Sequence, residues 1–430
     1  MTQPFRIAIA GLGTVGTGVI KILEKHAAEI ALRAGRPVEI IAVSARDKSK
    51  DRGVDLSGLD WVDDCAELAA RDDIDAIVEM IGGSEGKAAD LVRRSLAAGK
   101  HVVTANKALL AHHGYGLALL AEEKNISLAY EAAVAGGIPI IKTLREGFAA
   151  NEIRSVYGIL NGTCNYILTE MRETGRDFSD VLKEAQEKGY AEADPSFDVD
   201  GIDAGHKLAL LSALAFGTHP DFENLKITGI SHLTATDIHF AGELGYRIKL
   251  LGIARRHDAG IMRTLEPCLV PKESQLGSVE GVFNAVFIEG DFVGKSLSVG
   301  RGAGEGPTAS AVVADLIDIA RGLRIPAFGR PAKDMAAPTW LDAGKTQSRY
   351  YLRLEVLDEP GVIAQVSAIL RDYKISIESM IQHGRDPGQP VSVVLTLHEV
   401  SSGAMQDACR AIGALDIMRE KPCLMRIESL

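Results

Sequence analysis

Between Gly189 and Lys207 the chain reads GYAEADPSFDVDGIDAGHK, where five carboxylates (Glu192, Asp194, Asp198, Asp200 and Asp203) precede a single lysine. Acids crowded around one ammonium suit a polar pocket better than a plain surface loop, because clustered titratable groups are where proton chemistry is arranged. Asp194-Pro195 and Asp200-Gly201 punctuate the stretch as turns, and the apolar run LALLSALAF after Lys207 reads as a buried helix that the lysine opens. Asp203 and Lys207 are four residues apart, so on that helix they share a face and can touch. Taken alone, such a pair is more simply a solvated ion pair worth about 0.3–0.5 kcal/mol. The four acids upstream favour the pocket. There a carboxylate would hold an ammonium ready to deliver a proton to developing negative charge.

Something must position these groups. At 430 residues with 46% apolar content, the chain is a folded protein of two or three domains. Its net charge of −11 argues against nucleic acid and anionic membranes as partners. No run approaches the ~20 apolar residues of a membrane span, and MTQPFRIAIAGLG does not read as a signal peptide. Cys65, Cys164, Cys268, Cys409 and Cys423 are scattered and lack a metal or redox spacing, which suits a reducing compartment, the cytoplasm by default.

The β-prone run Phe5 to Ala10 leads directly into Gly11-Leu-Gly13-Thr14-Val15-Gly16, and an amphipathic pattern follows through Ile30. Strand, glycine turn and helix are the context that gives GxGxxG its meaning: a tight turn, close approach of backbone to a pyrophosphate, and free N–H groups at a helix start. Val38 to Val43 predicts the second strand. At its end Arg46 and Lys48 can pair with a 2′-phosphate, favouring NADP, while Asp47 between them keeps NAD open. Ile74 to Ile81 and His101 to Val103 continue the β/α alternation of a doubly wound parallel sheet. Thr104-Ala-Asn106-Lys107 then falls at a strand end, where such sheets bind ligands.

Ser127 to Glu131 predicts a further strand. It runs into a small-residue segment, Val134 to Ile138, whose carbonyls together with Glu131 suit a hard cation, although from the residues alone a bend between domains is the better reading. From Ile153 a strand runs into a helix, with Asn161 and Thr163 at the junction, where Thr163 also suits a helix cap. Phe283 to Ile288 suggests a mixed sheet in this middle part, and Gly300 to Ser310, including Gly306, is a second glycine-rich loop opening a helix from Ala311 to Ala320. Residues 333–348 read as a linker. Beyond it the pattern is βαββαβ, a ferredoxin-like module.

The run through Ala185, Gly189, Asp194-Pro195, Asp198, Gly201, Asp203 and Lys207 is similar to the signature of homoserine dehydrogenases, with no departure within it. TANK at Thr104 to Lys107, NGT at Asn161 to Thr163, and GRGAG with PTASAV from Gly300 extend the resemblance, and the C-terminal module with Asp358-Glu-Pro360-Gly361 resembles an ACT domain. The resemblance implies an α/β protein of the three-domain kind: a Rossmann-type doubly wound sheet in residues 1–132 with a returning segment 305–332, a mixed α+β catalytic and oligomerisation domain in 133–304, a linker in 333–348, and a ferredoxin-like ACT module in 349–430. It implies NAD(P)-dependent interconversion of L-homoserine and L-aspartate 4-semialdehyde in threonine, methionine and isoleucine biosynthesis. Lys207, Asp203 and Lys107 are its catalytic residues, and Glu192, Asp198, Tyr190 and Thr163 its substrate contacts. Gly11, Gly13, Thr14, Val15, Gly16, Arg46, Thr104, Lys107 and Gly306 are its cofactor contacts, and Glu131, Val134, Gly136 and Ile138 hold a sodium ion. It further implies an amino-acid effector, L-threonine, and a homodimer or homotetramer. The rivals are another amino-acid or semialdehyde dehydrogenase of this fold, for which Cys164 is the only thiol placed to react, and a non-catalytic nucleotide and amino-acid sensor.

Overall fold

The computed structural model describes residues 3–384 and 388–429; residues 1–2, 385–387 and 430, which belong to the expected first and last domains, lie outside the described residues. The chain forms two compact units, one built from Met1–Gly162, Asp203–Leu225 and Phe283–Pro338, the other from Thr163–Ile202, Lys226–Val282 and Thr339–Leu430.

In the first unit six parallel strands lie in the order Asp60–Trp61, Val38–Ser44, Phe5–Ala10, Ala76–Glu79, His101–Thr104, Leu128–Ala129. The chain therefore starts at the centre and winds outward both ways, which is the doubly wound order expected of the strand–glycine turn–helix opening. Parallel neighbours need crossovers, and the helices Thr14–Lys25, Lys87–Ala97 and Lys107–Glu123 make them. The helix after the glycine turn breaks at His26 and resumes as Ala27–Ala34, ending on the left-handed Gly35. Ile7, Ile9, Val19, Ile20 and Leu23 share a core with Ala309, Val312, Val313 and Leu316 from the helix Glu305–Ala320. Gly18 lets these two helices meet, since a Cβ there would lie 2.8 Å from Glu305 and 3.0 Å from Ala309. The later helix starts at Glu305 rather than at Ala311 as expected. Pro307 falls in its first turn, where a missing N–H costs no intrahelical bond. Three antiparallel strands, Ile153–Ile159, Phe283–Gly290 and Gly294–Arg301, complete this unit's β structure.

The second unit contains the hairpin Tyr246–His257 and Gly260–Pro271 and the complete βαββαβ pattern: Gln347–Leu357, helix Val362–Asp372, Ile377–Gln382, Pro390–Ser401, helix Ser402–Gly413 and Cys423–Ile427. Its strands order as Cys423–Ile427, Gln347–Leu357, Pro390–Ser401, Ile377–Gln382, all antiparallel, over a core of Leu352, Leu354, Val366, Leu370, Leu395, Met405 and Ile412. This sheet does not stop at Cys423–Ile427. That strand pairs in parallel with Gly260–Pro271, setting Cys268 opposite Arg426 and Leu269 opposite Ile427, which covers an edge that would otherwise be open. The stretch before the module is pinned to the same strand, with Ile261 N–H donating to Thr339 O at 2.8 Å and Leu341 N–H donating to Ile261 O at 2.9 Å. Among the described residues no helix is long and apolar enough to cross a membrane.

Candidate active site

The helix carrying Asp203 and Lys207 spans Ile202–Phe216 and is buried all round from Asp203 onward, as an apolar sequence with few polar faces requires. It begins five residues before Lys207, so the lysine sits in the second turn instead of opening the helix as expected. Both side chains are consequently inside the protein, with Asp203 5% and Lys207 7% exposed. An isolated buried charge is costly, so each needs partners. Lys207 Nζ donates to Asp203 Oδ2 at 2.7 Å and to the carbonyl of Leu160 at 2.8 Å. Asn161 Nδ2 donates to the same Oδ2 at 2.9 Å, and Lys107 Nζ lies 3.1 Å from Oδ1. Burial works to raise the Asp203 carboxyl, but the Lys207 and Lys107 ammoniums and these hydrogen bonds outweigh it and hold the group well below the usual carboxylate range. One carboxylate thus fixes two ammoniums.

Lys107 is the first residue of the helix Lys107–Glu123, capped by Asn106, whose Oδ1 accepts from Leu109 N–H at 3.0 Å. The Asn106 amide also donates to Gly83 O at 2.7 Å, tying this helix start to the turn after the Ala76–Glu79 strand. Thr104 is wholly buried; its hydroxyl donates to Glu79 Oε2 at 2.6 Å, and Glu79 Oε1 in turn accepts the N–H groups of Ile81 and Gly82. Thr104 therefore shapes the rim of the sheet and does not line the cleft beside it.

That cleft, of about 650 Å³, opens at the carboxyl ends of the central strands and is lined by Gly11, Gly13, Arg46, Asp47, Lys50, Arg52, Met80 to Gly82, Glu85 and Lys87, among others. Gly11 has φ +102° and would drive a Cβ to 2.4 Å from Met80 O, while Gly16 would drive one to 2.0 Å from Gly11 O. Both positions need glycine to close the turn. At Gly13 a Cβ would meet nothing within 4 Å, and the helix it opens has no side-chain cap, so the turn presents open backbone and helix N–H groups as a pyrophosphate cradle does. The residues present fit a dinucleotide. Thr14, Val15, Gly16, Thr104, Lys107 and Gly306 are not among the cleft's lining residues; Thr14 to Gly16 form the helix start behind it, and Gly306 lies in the first turn of Glu305–Ala320.

At the ribose end the structure adds residues to those expected. Lys48 and Arg52 lie over the Trp61 ring, at 6.0 and 5.5 Å, and Lys50 and Arg52 line the cleft beside Arg46. Arg52 Nε donates to Leu12 O at 3.2 Å, in the glycine turn itself, and its other nitrogens reach the carbonyls of Asp47 and Lys50. The only signal for these two was the charge run Arg46 to Arg52, which does not say which members fold inward. Asp47 is engaged locally, its Oδ1 accepting from Ser49 N–H at 2.8 Å and Ser49 Oγ at 2.7 Å.

The remaining expected substrate residues belong to the second unit. Thr163 Oγ1 donates to Tyr190 O at 2.7 Å, and the Tyr190 ring packs edge-on to Tyr166 at 4.9 Å. Glu192 is exposed, its carbonyl accepting from Gln186 Nε2 at 3.0 Å, and Asp198 lies in the short helix Ser196–Val199. Asp194 caps the turn at Ser196, and Asp200 is exposed. The five acids thus have separate fates, and within the first unit it is Asp203 that holds the lysines. Of the two residues read at the strand–helix junction and in the NGT segment, it is Asn161 and not Thr163 that hydrogen-bonds Asp203.

Glu131 is 2% exposed. Its oxygens accept the N–H groups of Ile141 and Lys142, both at 2.9 Å, and burial, then the neighbouring Asp315, pushes its carboxyl up to about 7. The carbonyl of Ile138 accepts from Ile140 N–H at 2.7 Å, and Gly136 has φ +47° at the bend. Among the described residues no group of three or more His, Cys, Asp or Glu side chains is set to hold a metal. Both Glu131 oxygens are therefore engaged by backbone N–H groups, and Lys142 lies 3.3 Å from the neighbouring Asp315.

A doubly wound sheet with a glycine cradle, and in the same unit a buried lysine–carboxylate relay, define a nicotinamide-dependent oxidoreductase. Residues 11–131 match the homoserine dehydrogenase NAD-binding domain, 139–317 the homoserine dehydrogenase domain and 350–413 the ACT domain. The chain is 47% identical over 434 residues to a homoserine dehydrogenase of Neisseria gonorrhoeae, covering 100% of this chain and 99% of the relative, and 45% identical over 435 residues to one of Pseudomonas aeruginosa, covering 100% of both. The crystal structure of a homoserine dehydrogenase from Thiobacillus denitrificans superposes with a TM-score of 0.93 at 45% identity, covering 99% of each chain. The chain belongs to the homoserine dehydrogenase family, and its place is in amino-acid biosynthesis.

Proposed function

We propose that the enzyme interconverts L-homoserine and L-aspartate 4-semialdehyde through Lys207, Lys107 and Asp203, with NADP as the preferred cofactor. The observation that carries this is the single Asp203 carboxylate bridging two ammoniums, at 2.7 Å to Lys207 and 3.1 Å to Lys107. A reduced nicotinamide held in the cleft at the glycine turn would supply hydride to the aldehyde carbon. Lys207 Nζ then delivers a proton to the resulting alkoxide, and Lys107 stabilises the charge as it develops. In the oxidative direction the neutral Lys207 amine left by that transfer takes the hydroxyl proton and becomes the ammonium again. Asp203 remains ionised throughout and keeps both ammoniums aimed, while Glu192 and Asp198 bind the substrate α-ammonium with Tyr190 and Thr163 beside them. Arg46 takes the 2′-phosphate, a reading supported by the cationic rim and by the engagement of Asp47 with Ser49. Glu131 with the carbonyls of Val134, Gly136 and Ile138 would hold sodium. The test is absorbance of reduced cofactor on mixing protein with L-homoserine and NADP or NAD; no turnover with either would overturn the assignment.

We also propose the division into 1–132 with 305–332, 133–304, 333–348 and 349–430, a cytoplasmic location, and feedback inhibition by L-threonine in threonine, methionine and isoleucine biosynthesis. The effector would sit at Asp358 to Gly361, where the left-handed Gly361 opens the helix Val362–Asp372 without a side-chain cap. Strands Ile377–Gln382 and Gly294–Arg301 end their sheets with Met380 and Val299 half-exposed, which favours a homodimer or homotetramer that covers them. Calorimetry with L-threonine and light scattering check these two readings; no binding, or a monomer, would remove them.

A further inference from the structure

His206 lies between Asp203 and Lys207 on their shared helix and is 4% exposed. Its ring packs against Phe222 at 4.2 Å between centroids, and the edge of His112 meets it at 5.4 Å. His112 also packs edge-on to Phe222 at 5.3 Å, so the three rings touch one another pairwise, and His112 Nδ1 lies 3.2 Å from Glu223 Oε1. The arrangement matters because of where the rings are rooted. His112 is on the helix that begins at Lys107, and His206 is on the helix that carries Asp203 and Lys207. The 3.1 Å contact between Lys107 and Asp203 spans these two helices, and helices are stiff enough for a change at the rings to move that contact.

We infer that His206 is a positioning residue: wedged between Phe222 and His112, its imidazole sets the spacing of the two helices and so the reach of Lys107 to Asp203. This rests on the reading that Lys107, Asp203 and Lys207 perform the chemistry. The wedge acts by shape rather than charge. The groups facing His206 are His112, Lys107 and Lys207, which disfavour a proton on it, and Asp203, which favours one; Glu223 acts through His112. Burial is the largest influence, and the imidazole is brought down to about 4, so it is neutral around pH 7. A neutral ring fills the space beside two ammoniums without adding a third positive charge. A misplacement of about 1 Å in such a constellation costs on the order of a hundredfold in rate.

The test uses the full-length protein in four variants, each checked by thermal melting and by titration with NADPH fluorescence. His206→Ala should lower kcat at least tenfold while the KM for homoserine stays within about twofold, and His206→Phe, which keeps a ring, should recover most of the loss. Should His206→Ala fail to fold, His112→Leu removes the other half of the wedge and should show the same split between kcat and KM. Wild-type kcat in folded His206→Ala or His112→Leu would overturn the inference, as would equal losses in His206→Ala and His206→Phe. Lys207→Ala separates the two readings: wild-type turnover there refutes the catalytic assignment, whereas an inactive Lys207→Ala beside a fully active His206→Ala refutes the wedge alone.

Discussion

Asp203 holds Lys207 by one oxygen and Lys107 by the other, at 2.7 and 3.1 Å. The two lysines come from different helices, so this one carboxylate sets their separation. Lys207→Ala should leave NADPH affinity within about twofold and lower kcat by about 10²–10⁴, the usual share of a positioned proton donor. Asp203→Asn keeps the shape but removes the charge, and it should lower kcat by a similar factor. Steady-state rates beside fluorescence titration measure both; a variant with normal kcat and a raised KM would assign the pair to substrate binding.

Arg46 and Arg52 both line the cleft but differ in what they hold. Arg46→Ala should weaken NADP by about 1.5–3 kcal/mol and NAD far less, as expected for one lost charge-assisted contact to a 2′-phosphate. Arg52 donates to Leu12 O within the glycine turn, so Arg52→Ala should weaken both cofactors together. Equal losses for the two cofactors in Arg46→Ala would show that the backbone sets the preference.

Burial and Asp315 push Glu131 from 4.5 up to about 7. A carboxyl whose pKa is raised on folding binds its proton more tightly in the folded state, so stability should fall as pH rises from about 4.5 through about 7, by roughly 3 kcal/mol. Glu131→Gln should flatten that slope, although it also loses an acceptor for Ile141 or Lys142 N–H. Sodium should raise the wild-type Tm at pH 8 relative to choline at equal ionic strength and leave the variant unmoved. An identical response in both proteins would take the cation away from Glu131.

The C-terminal module is bound to the rest of its unit by buried charge. Arg353 forks onto Asp237, Nε to Oδ1 at 2.7 Å and an Nη to Oδ2 at 3.1 Å, with the Tyr351 hydroxyl 3.3 Å from Oδ1. Asp237 is also the capping-box acid of the helix Ala235–Glu243. Arg353→Ala should cost about 3–5 kcal/mol, because it strands a buried carboxylate. Truncation after Lys345 removes Arg353 and the strand paired with Gly260–Pro271, and should lower the Tm by several degrees. A truncated protein that melts like the full chain would show that the module is an independent attachment.

Local patterns were legible in the sequence because they depend on near neighbours. The strand Phe5–Ala10 with its glycine turn and the βαββαβ order after Gln347 follow from hydrophobic period and turn residues, and the Asp203–Lys207 contact follows from helical pitch. Contacts between distant segments were not. Nothing in the spacing of Lys107, Asn161 and Asp203 reveals that they converge, nor that Lys50 and Arg52 line the cleft beside Arg46. The crowding of acids from Glu192 to Asp200 did not show that Asp194 is claimed by its own turn. The pairing of Asp237 with Arg353 crosses 116 residues. Which charges are buried, and against which partners, is decided by packing of elements far apart in the chain, since only there is water removed and an ion pair made necessary.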